Sequence, residues 1–114
     1  VLDLQGNPGG YMDMAINILD DFLPAGKKVV FTKGKKSRYD QEAFSTEAGK
    51  FENGSLIVLV NEGSASASEI VAGALQDNDR ALVVGRRSFG KGLVQTTFPL
   101  SGGAEMRLTI SRYY

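Results

Sequence analysis

The chain has 114 residues, 13 Lys and Arg against 13 Asp and Glu, and neither cysteine nor histidine. That length suits one domain with one core, and a zero net charge argues against nucleic-acid or membrane-surface binding through bulk electrostatics. The two missing residue types exclude a Ser-His-Asp triad, an HExxH zinc site, a thiolate nucleophile, a disulfide and an iron–sulfur cluster, so catalysis must run on Ser, Thr, Lys, Tyr, carboxylates and backbone amides.

Residues 1–4 are a short apolar run that reads as a strand. An opening inside a strand, and a close on Tyr113-Tyr114 with no polar tail, read as a piece cut from a longer protein. Gln5-Gly6-Asn7-Pro8-Gly9-Gly10 follows as a loop that brings backbone close to something. Tyr11, Met14, Ala15, Ile18, Leu19 and Phe22 then keep a helical period over 11–23, stopped by Pro24 and Gly26. Residues 28–32 read as a strand and lead into a polar stretch reaching about Asn53. Its basic patch, Lys33, Lys35, Lys36 and Arg38, reads as a solvated turn.

The run Leu56-Ile57-Val58-Leu59-Val60 has the pattern of a strand buried on both faces. After a turn at Asn61-Glu62-Gly63, a second helix is predicted over 66–76, with Ala67, Ile70, Val71, Ala74 and Leu75 on one face. Residues 81–84 read as another short buried strand, closed by Gly85. Two more strands, 93–98 and 105–111, flank a Ser101-Gly102-Gly103 turn, and the last alternates Met106, Leu108 and Ile110 with Arg107, Thr109 and Ser111. The expected fold is α/β, a mainly parallel sheet built from βα units, with an antiparallel hairpin near the end. Sites in such sheets gather beyond the carboxyl ends of the strands. The loops there, 5–10, 61–68 and 85–92, all carry glycine. No apolar run approaches the ~18 residues of a membrane span.

Gly63-Ser64-Ala65-Ser66-Ala67-Ser68-Glu69 opens the second helix, and Ser66 with Glu69 has the spacing of a capping box. The same position suits a nucleophile, because a serine at a helix N-terminus faces free backbone N–H groups that can hold an oxyanion. What separates the two readings is a nearby base. With no histidine, that base is a lysine, which must be uncharged to act and so needs its pKa lowered by roughly three units. Lys91 stands out between Gly90 and Gly92, beside Phe89, Leu93 and Val94, whereas most other lysines lie in polar stretches; the plain alternative is a surface loop lysine.

Three rival motifs fail. Gly85-x-x-x-x-Gly90-Lys91 matches most of a phosphate-binding P-loop, but Gly92 stands where Ser or Thr is needed and a strand follows where a helix belongs. Ser88-x-x-Lys91 has the S-x-x-K spacing of penicillin-binding proteins, yet the flanking glycines disfavour the required helical turn. Asp77 and Asp79 resemble the start of a calcium loop without its later Gly and Glu. The expected chemistry uses no cofactor and no metal.

Leu4-Gln5-Gly6-Asn7-Pro8-Gly9-Gly10, Gly63-Ser64-Ala65-Ser66-Ala67-Ser68-Glu69-Ile70 and Gly85-Arg86-Arg87-Ser88-Phe89-Gly90-Lys91-Gly92 together resemble, in order and spacing, the three signature segments of the carboxyl-terminal processing peptidases, or tail-specific proteases. The resemblance covers nearly the whole chain. It implies a ClpP/crotonase-like core and a Ser–Lys dyad whose lysine follows the serine by 25 positions, which selects Ser66 with Lys91 among Ser64, Ser66 and Ser68. It further implies that Gln95 orients the lysine, that Asp77 gives structural support, and that the oxyanion hole is built from the amides of Ala67 and of Gly9 or Gly10. Gln5 departs from the arginine usual in the family. The implied activity is serine endopeptidase cleavage of proteins with apolar C-terminal tails, extracytoplasmic (periplasm or cell envelope), with no nucleic acid as partner and oligomeric state open. The implied PDZ domain and remaining peptidase segments lie outside residues 1–114. The rival reading is an inactive peptide-binding or assembly domain of the same fold.

Overall fold

A computed structural model describes residues 1–114. In chain order the elements are β1 (Leu2–Asp3), α1 (Met12–Asp20), β2 (Lys28–Gly34), β3 (Gln41–Phe44), β4 (Ile57–Val60), α2 (Ala67–Asp77), β5 (Leu82–Gly85), β6 (Leu93–Pro99) and β7 (Glu105–Tyr113), with single 3-10 turns at Ser37–Tyr39 and Ser101–Gly103. The strands form two sheets. One is parallel, in the order β1-β4-β5; the other is antiparallel, in the order β3-β2-β7-β6.

The architecture is thus mixed rather than mainly parallel. Residues 28–32, expected as a strand of a mainly parallel fold, lie in β2, which instead pairs antiparallel with β3 and with the end of β7. The polar stretch hides β3 because its hairpin is closed by side chains rather than by a glycine turn. Thr32 Oγ1 donates to the Tyr39 carbonyl (2.7 Å) and accepts the Gln41 amide (3.0 Å), while Asp40 accepts the Gly34 amide (2.9 Å). Lys33, Lys35, Lys36 and Arg38 lie exposed around that turn, as their charge suggests.

Helix α1 follows its apolar stripe but stops at Asp20, three residues short of the pattern. The position before a proline is pushed away from helical backbone, so Leu23, which precedes Pro24, only folds its amide back to the Leu19 carbonyl (2.9 Å). Leu19, Leu23, Val58 and Leu75 are almost wholly buried and form the centre of the core, where α1 packs on α2 and both cover β4. The helices lie on one face of the parallel sheet. The other face is uncovered: Leu82 is 64% exposed, and Ile57 and Val84 are also open. Strands 56–60 and 81–84 are therefore not buried on both sides as their unbroken apolar runs suggested.

Arg80, between α2 and β5, secures the end of the sheet where the parallel strands begin. Its guanidinium donates to the carbonyls of Phe22 (3.0 Å), Gly54 (3.0 Å) and Phe51. One side chain thereby joins the end of α1 to the segment entering β4.

Candidate active site

The order β1-β4-β5 sets the three glycine-bearing loops side by side at the carboxyl ends of the strands, and polar groups tie them together. The Ala65 amide bonds the Asn7 carbonyl (3.0 Å), the Gly6 amide bonds Asn61 Oδ1 (2.8 Å), and the Phe89 amide bonds the Ser64 carbonyl (3.0 Å). Ser64 is fully buried; its hydroxyl donates to the Leu4 carbonyl (2.7 Å) and accepts the Asn61 amide (2.9 Å). Ser68 is buried in α2. Of the three serines only Ser66 lines the cleft that Lys91 also lines, and its backbone is also the distinctive one, with φ 57° and ψ −119°. For a non-glycine residue such a strained strand-to-helix turn costs on the order of 1–3 kcal/mol, and it is the device by which a nucleophile is lifted at a helix head.

The capping box is present as well. The Ser66 side chain faces the Glu69 amide and the Glu69 carboxylate accepts the Ser66 amide at 2.9 Å, yet the hydroxyl makes no full capping hydrogen bond. Glu69 does far more than cap. It also accepts the Ser88 hydroxyl (2.7 Å) and the amides of Gly90 (2.7 Å) and Lys91 (2.8 Å). Burial works against its charged form, but the hydrogen bonds from Ser88, Gly90, Ser66 and Lys91 outweigh that and hold the carboxyl below the usual carboxylate range. One carboxylate thus joins the serine loop to the lysine loop.

The amides of Ala67 and Gly10 have no acceptor within the chain, whereas the Gly9 amide bonds Asn7 Oδ1 (2.9 Å). Gly9, at φ +87°, lies so close to the serine loop that an added Cβ would fall on the Ala65 carbonyl oxygen and 2.6 Å from the Ala67 nitrogen; at Gly10 it would meet nothing within 4 Å. Gly9→Ala is expected to destabilise the fold by about 2 kcal/mol, the scale set by a positive φ and an overpacked contact. Gly10→Ala should fall within about 0.5 kcal/mol of the parent. Chemical denaturation of the two variants checks the contrast, and equal stabilities would contradict it.

A cleft of about 480 Å³ collects Gly10, Ser66, Ala67, Lys91, Gln95 and Tyr113 on its walls. Lys91 is exposed, and its ammonium makes no hydrogen bond or ion pair; the Ser66 hydroxyl instead lies 3.3 Å from the Tyr113 hydroxyl. Gln95, opposite Thr109 on β6, makes no contact of hydrogen-bonding distance with Lys91. Asp77 closes α2 and lines an adjoining groove of about 590 Å³ together with Lys91. Residues 93–99 are a strand and Ser88 is spent on Glu69, so neither the P-loop nor the S-x-x-K geometry exists. Sequence reasoning missed Tyr113 altogether and saw only the capping arm of Glu69.

A family model described as Peptidase family S41 matches residues 1–114. The chain is 51% identical over 115 residues to the carboxy-terminal-processing protease of Bartonella bacilliformis, covering 100% of this chain and 26% of that protein. It is 46% identical over 113 residues to the carboxyl-terminal-processing protease of a Synechocystis species, covering 99% and 26%. Among solved structures, the photosystem II D1 C-terminal processing protease superposes with a TM-score of 0.89 at 37% identity, over 99% of this chain and 29% of that one. A lipoprotein from Streptococcus agalactiae shares the fold, with a TM-score of 0.72 at 24% identity over 96% and 41%. The chain therefore spans about a quarter of the length of the curated relatives named here.

Proposed function

The chain belongs to peptidase family S41, and we propose that it carries the nucleophile, base and oxyanion donors of a serine endopeptidase that cleaves proteins near their C-terminal tails. The observation that carries this reading is the setting of Ser66. A strained serine at the head of α2 shares one cleft with Lys91, beside two amides, of Ala67 and Gly10, that have no other acceptor. Ser66 is the nucleophile. Neutral Lys91 takes the hydroxyl proton as Oγ bonds to the scissile carbonyl carbon, and the carbonyl electron pair moves onto oxygen, held by the two amides. As the tetrahedral intermediate collapses, Lys91 gives the proton to the departing amine and the C–N bond breaks; water then releases the acyl group. The Lys91 ammonium takes part in neither ion pair of the chain, so its long side chain breaks no salt bridge in swinging toward Ser66, and active-site contacts commonly tighten only with substrate present.

Gln95, on the same wall, orients Lys91 in this reading, and Asp77 supports the floor beneath it. Of the two glycines, Gly10 is the oxyanion donor, since the Gly9 amide is already spent, and Gly9 allows the close approach. The succession β4-α2-β5 with parallel strands supports a ClpP/crotonase-like core. Strand β6, at the edge of its sheet, runs along the cleft and suits an extended apolar tail. The extracytoplasmic setting rests on the family resemblance. The inactive, peptide-binding alternative is disfavoured because both Ser66 and Lys91 are present.

An active-serine phosphonate probe tests the assignment in the full-length protein. Mass spectrometry should find the adduct on Ser66 and on neither Ser64 nor Ser68, and Lys91→Met should abolish labelling. Labelling that survives Lys91→Met would remove the lysine from the mechanism.

A further inference from the structure

We propose that Tyr113 is a positioning residue of this site, its phenol holding the nucleophilic oxygen; the inference rests on the reading of Ser66 given above. Tyr113 Oη lies 3.3 Å from Ser66 Oγ, on the wall of the cleft shared with Lys91, and the two residues are 47 positions apart in the chain. The tyrosine is fixed from two sides. Its amide donates to the carbonyl of Gly92 (3.1 Å), the residue after Lys91, and it pairs with Thr32 of β2.

A register shift precedes Tyr113 in β7. Between the pairs Val94–Ser111 and Gln95–Thr109, β7 holds one extra residue, Ile110. Such a bulge bends its strand, increases the local twist and re-aims a side chain near it. Bulges beside active sites commonly serve this purpose.

The chemistry assigns the direction of the bond. A serine hydroxyl has one proton and two lone pairs, and Lys91 needs the proton. If Ser66 donated to Tyr113, that proton would be misdirected. With Tyr113 donating, a lone pair of Oγ is held and the serine proton stays free for Lys91. During attack the proton moves from Oγ to the lysine nitrogen while Tyr113 keeps its own. In the acyl-enzyme the phenol faces the ester oxygen, and donation there assists departure of Oγ when water attacks the carbonyl and the C–Oγ bond breaks. In that half-reaction Lys91 takes a proton from the attacking water and returns it to Oγ as the C–Oγ bond breaks, so Tyr113 again keeps its own proton and none is left over.

Tyr113→Phe in the full-length protein removes the hydroxyl and leaves the ring. The expected result is a kcat for a tail peptide lowered about 10-fold, KM within twofold of wild type, a matching slowing of phosphonate labelling at Ser66, and an unchanged melting temperature. A kcat and labelling rate unchanged or faster would overturn the proposal, and so would a loss carried by KM alone, which would make Tyr113 a substrate contact. A Ser66→Ala protein that still turned over would instead overturn the nucleophile assignment beneath it, so the two failures are distinct.

Discussion

Replacing Ser66 by glycine should abolish peptide hydrolysis in the full-length protein while raising the stability of the fold by about 1 kcal/mol. The two effects have separate origins in one residue. Ser66 occupies a left-handed φ of 57°, a conformation that costs a residue with a Cβ on the order of 1–3 kcal/mol and glycine almost nothing. Part of that relief, roughly 0.5–1 kcal/mol, is returned through the greater entropy of glycine in the unfolded chain. Hydrolysis has no substitute nucleophile in the cleft, because Ser64 and Ser68 are buried elsewhere; the fall should be about 10³-fold or more. Denaturant unfolding and a tail-peptide assay on the same preparation decide the matter. A variant less stable than wild type would mean that the Ser66 turn stores no strain.

Glu69 should give the second largest loss. Glu69→Ala removes the acceptor of four hydrogen bonds that join the Ser66 amide to Ser88 and to the Gly90 and Lys91 amides. With the partners partly exposed, the stability cost is about 2 kcal/mol. Activity should fall about 100-fold, because the lysine loop is no longer held against the serine loop and small displacements of reacting groups are costly. Glu69→Gln should lie between, since an amide has one acceptor oxygen and offers an N–H toward donors. The pH dependence has a definite sign. The folded carboxyl titrates below its unfolded value of about 4.3, so its contribution is complete above that pH and is lost as pH falls through the lower, folded value. Wild type and Glu69→Gln should therefore differ most in stability near neutrality and converge in acid. A gap that widened on acidification would contradict the arrangement.

What could be read from the sequence was local. The apolar stripe of α1, the aliphatic run of β4 and the capping signal before α2 each depend on residues a few positions apart. So does the arrival of the three glycine loops at one end of the sheet, once strands and helices alternate. The antiparallel sheet was less legible, because β3 is a polar strand whose hairpin is closed by Thr32 and Asp40 rather than by a turn dipeptide. Burial of β5 was overestimated for a related reason: an apolar run reports what a strand could bury, while Leu82 is exposed because both helices chose the opposite face. Within the site, the resemblance alone selects among the three serines; the structure adds that Ser66 has a positive φ and lines the cleft with Lys91, while Ser64 and Ser68 are buried. The four-way role of Glu69, the spent amide of Gly9 and the approach of Tyr113 all arise between segments distant in the chain, where spacing carries no signal.

The parallel sheet has a different kind of staple at each end. Where its strands finish, a carboxylate gathers the loops of Ser66 and Lys91; where they begin, the guanidinium of Arg80 gathers three carbonyls that hold nothing but each other. The molecule therefore offers two unequal terrains to mutation. Around Arg80 a lineage can drift, lengthening the segment before β4 or altering the turn after α2, and lose only thermodynamic margin that other substitutions can restore. Around Glu69 neither loop can change length alone without parting the other from its partner, so variation there must come in concert or not at all. Directed evolution that seeks a new specificity would do best to exchange the serine and lysine loops as one cassette, with the glutamate between them.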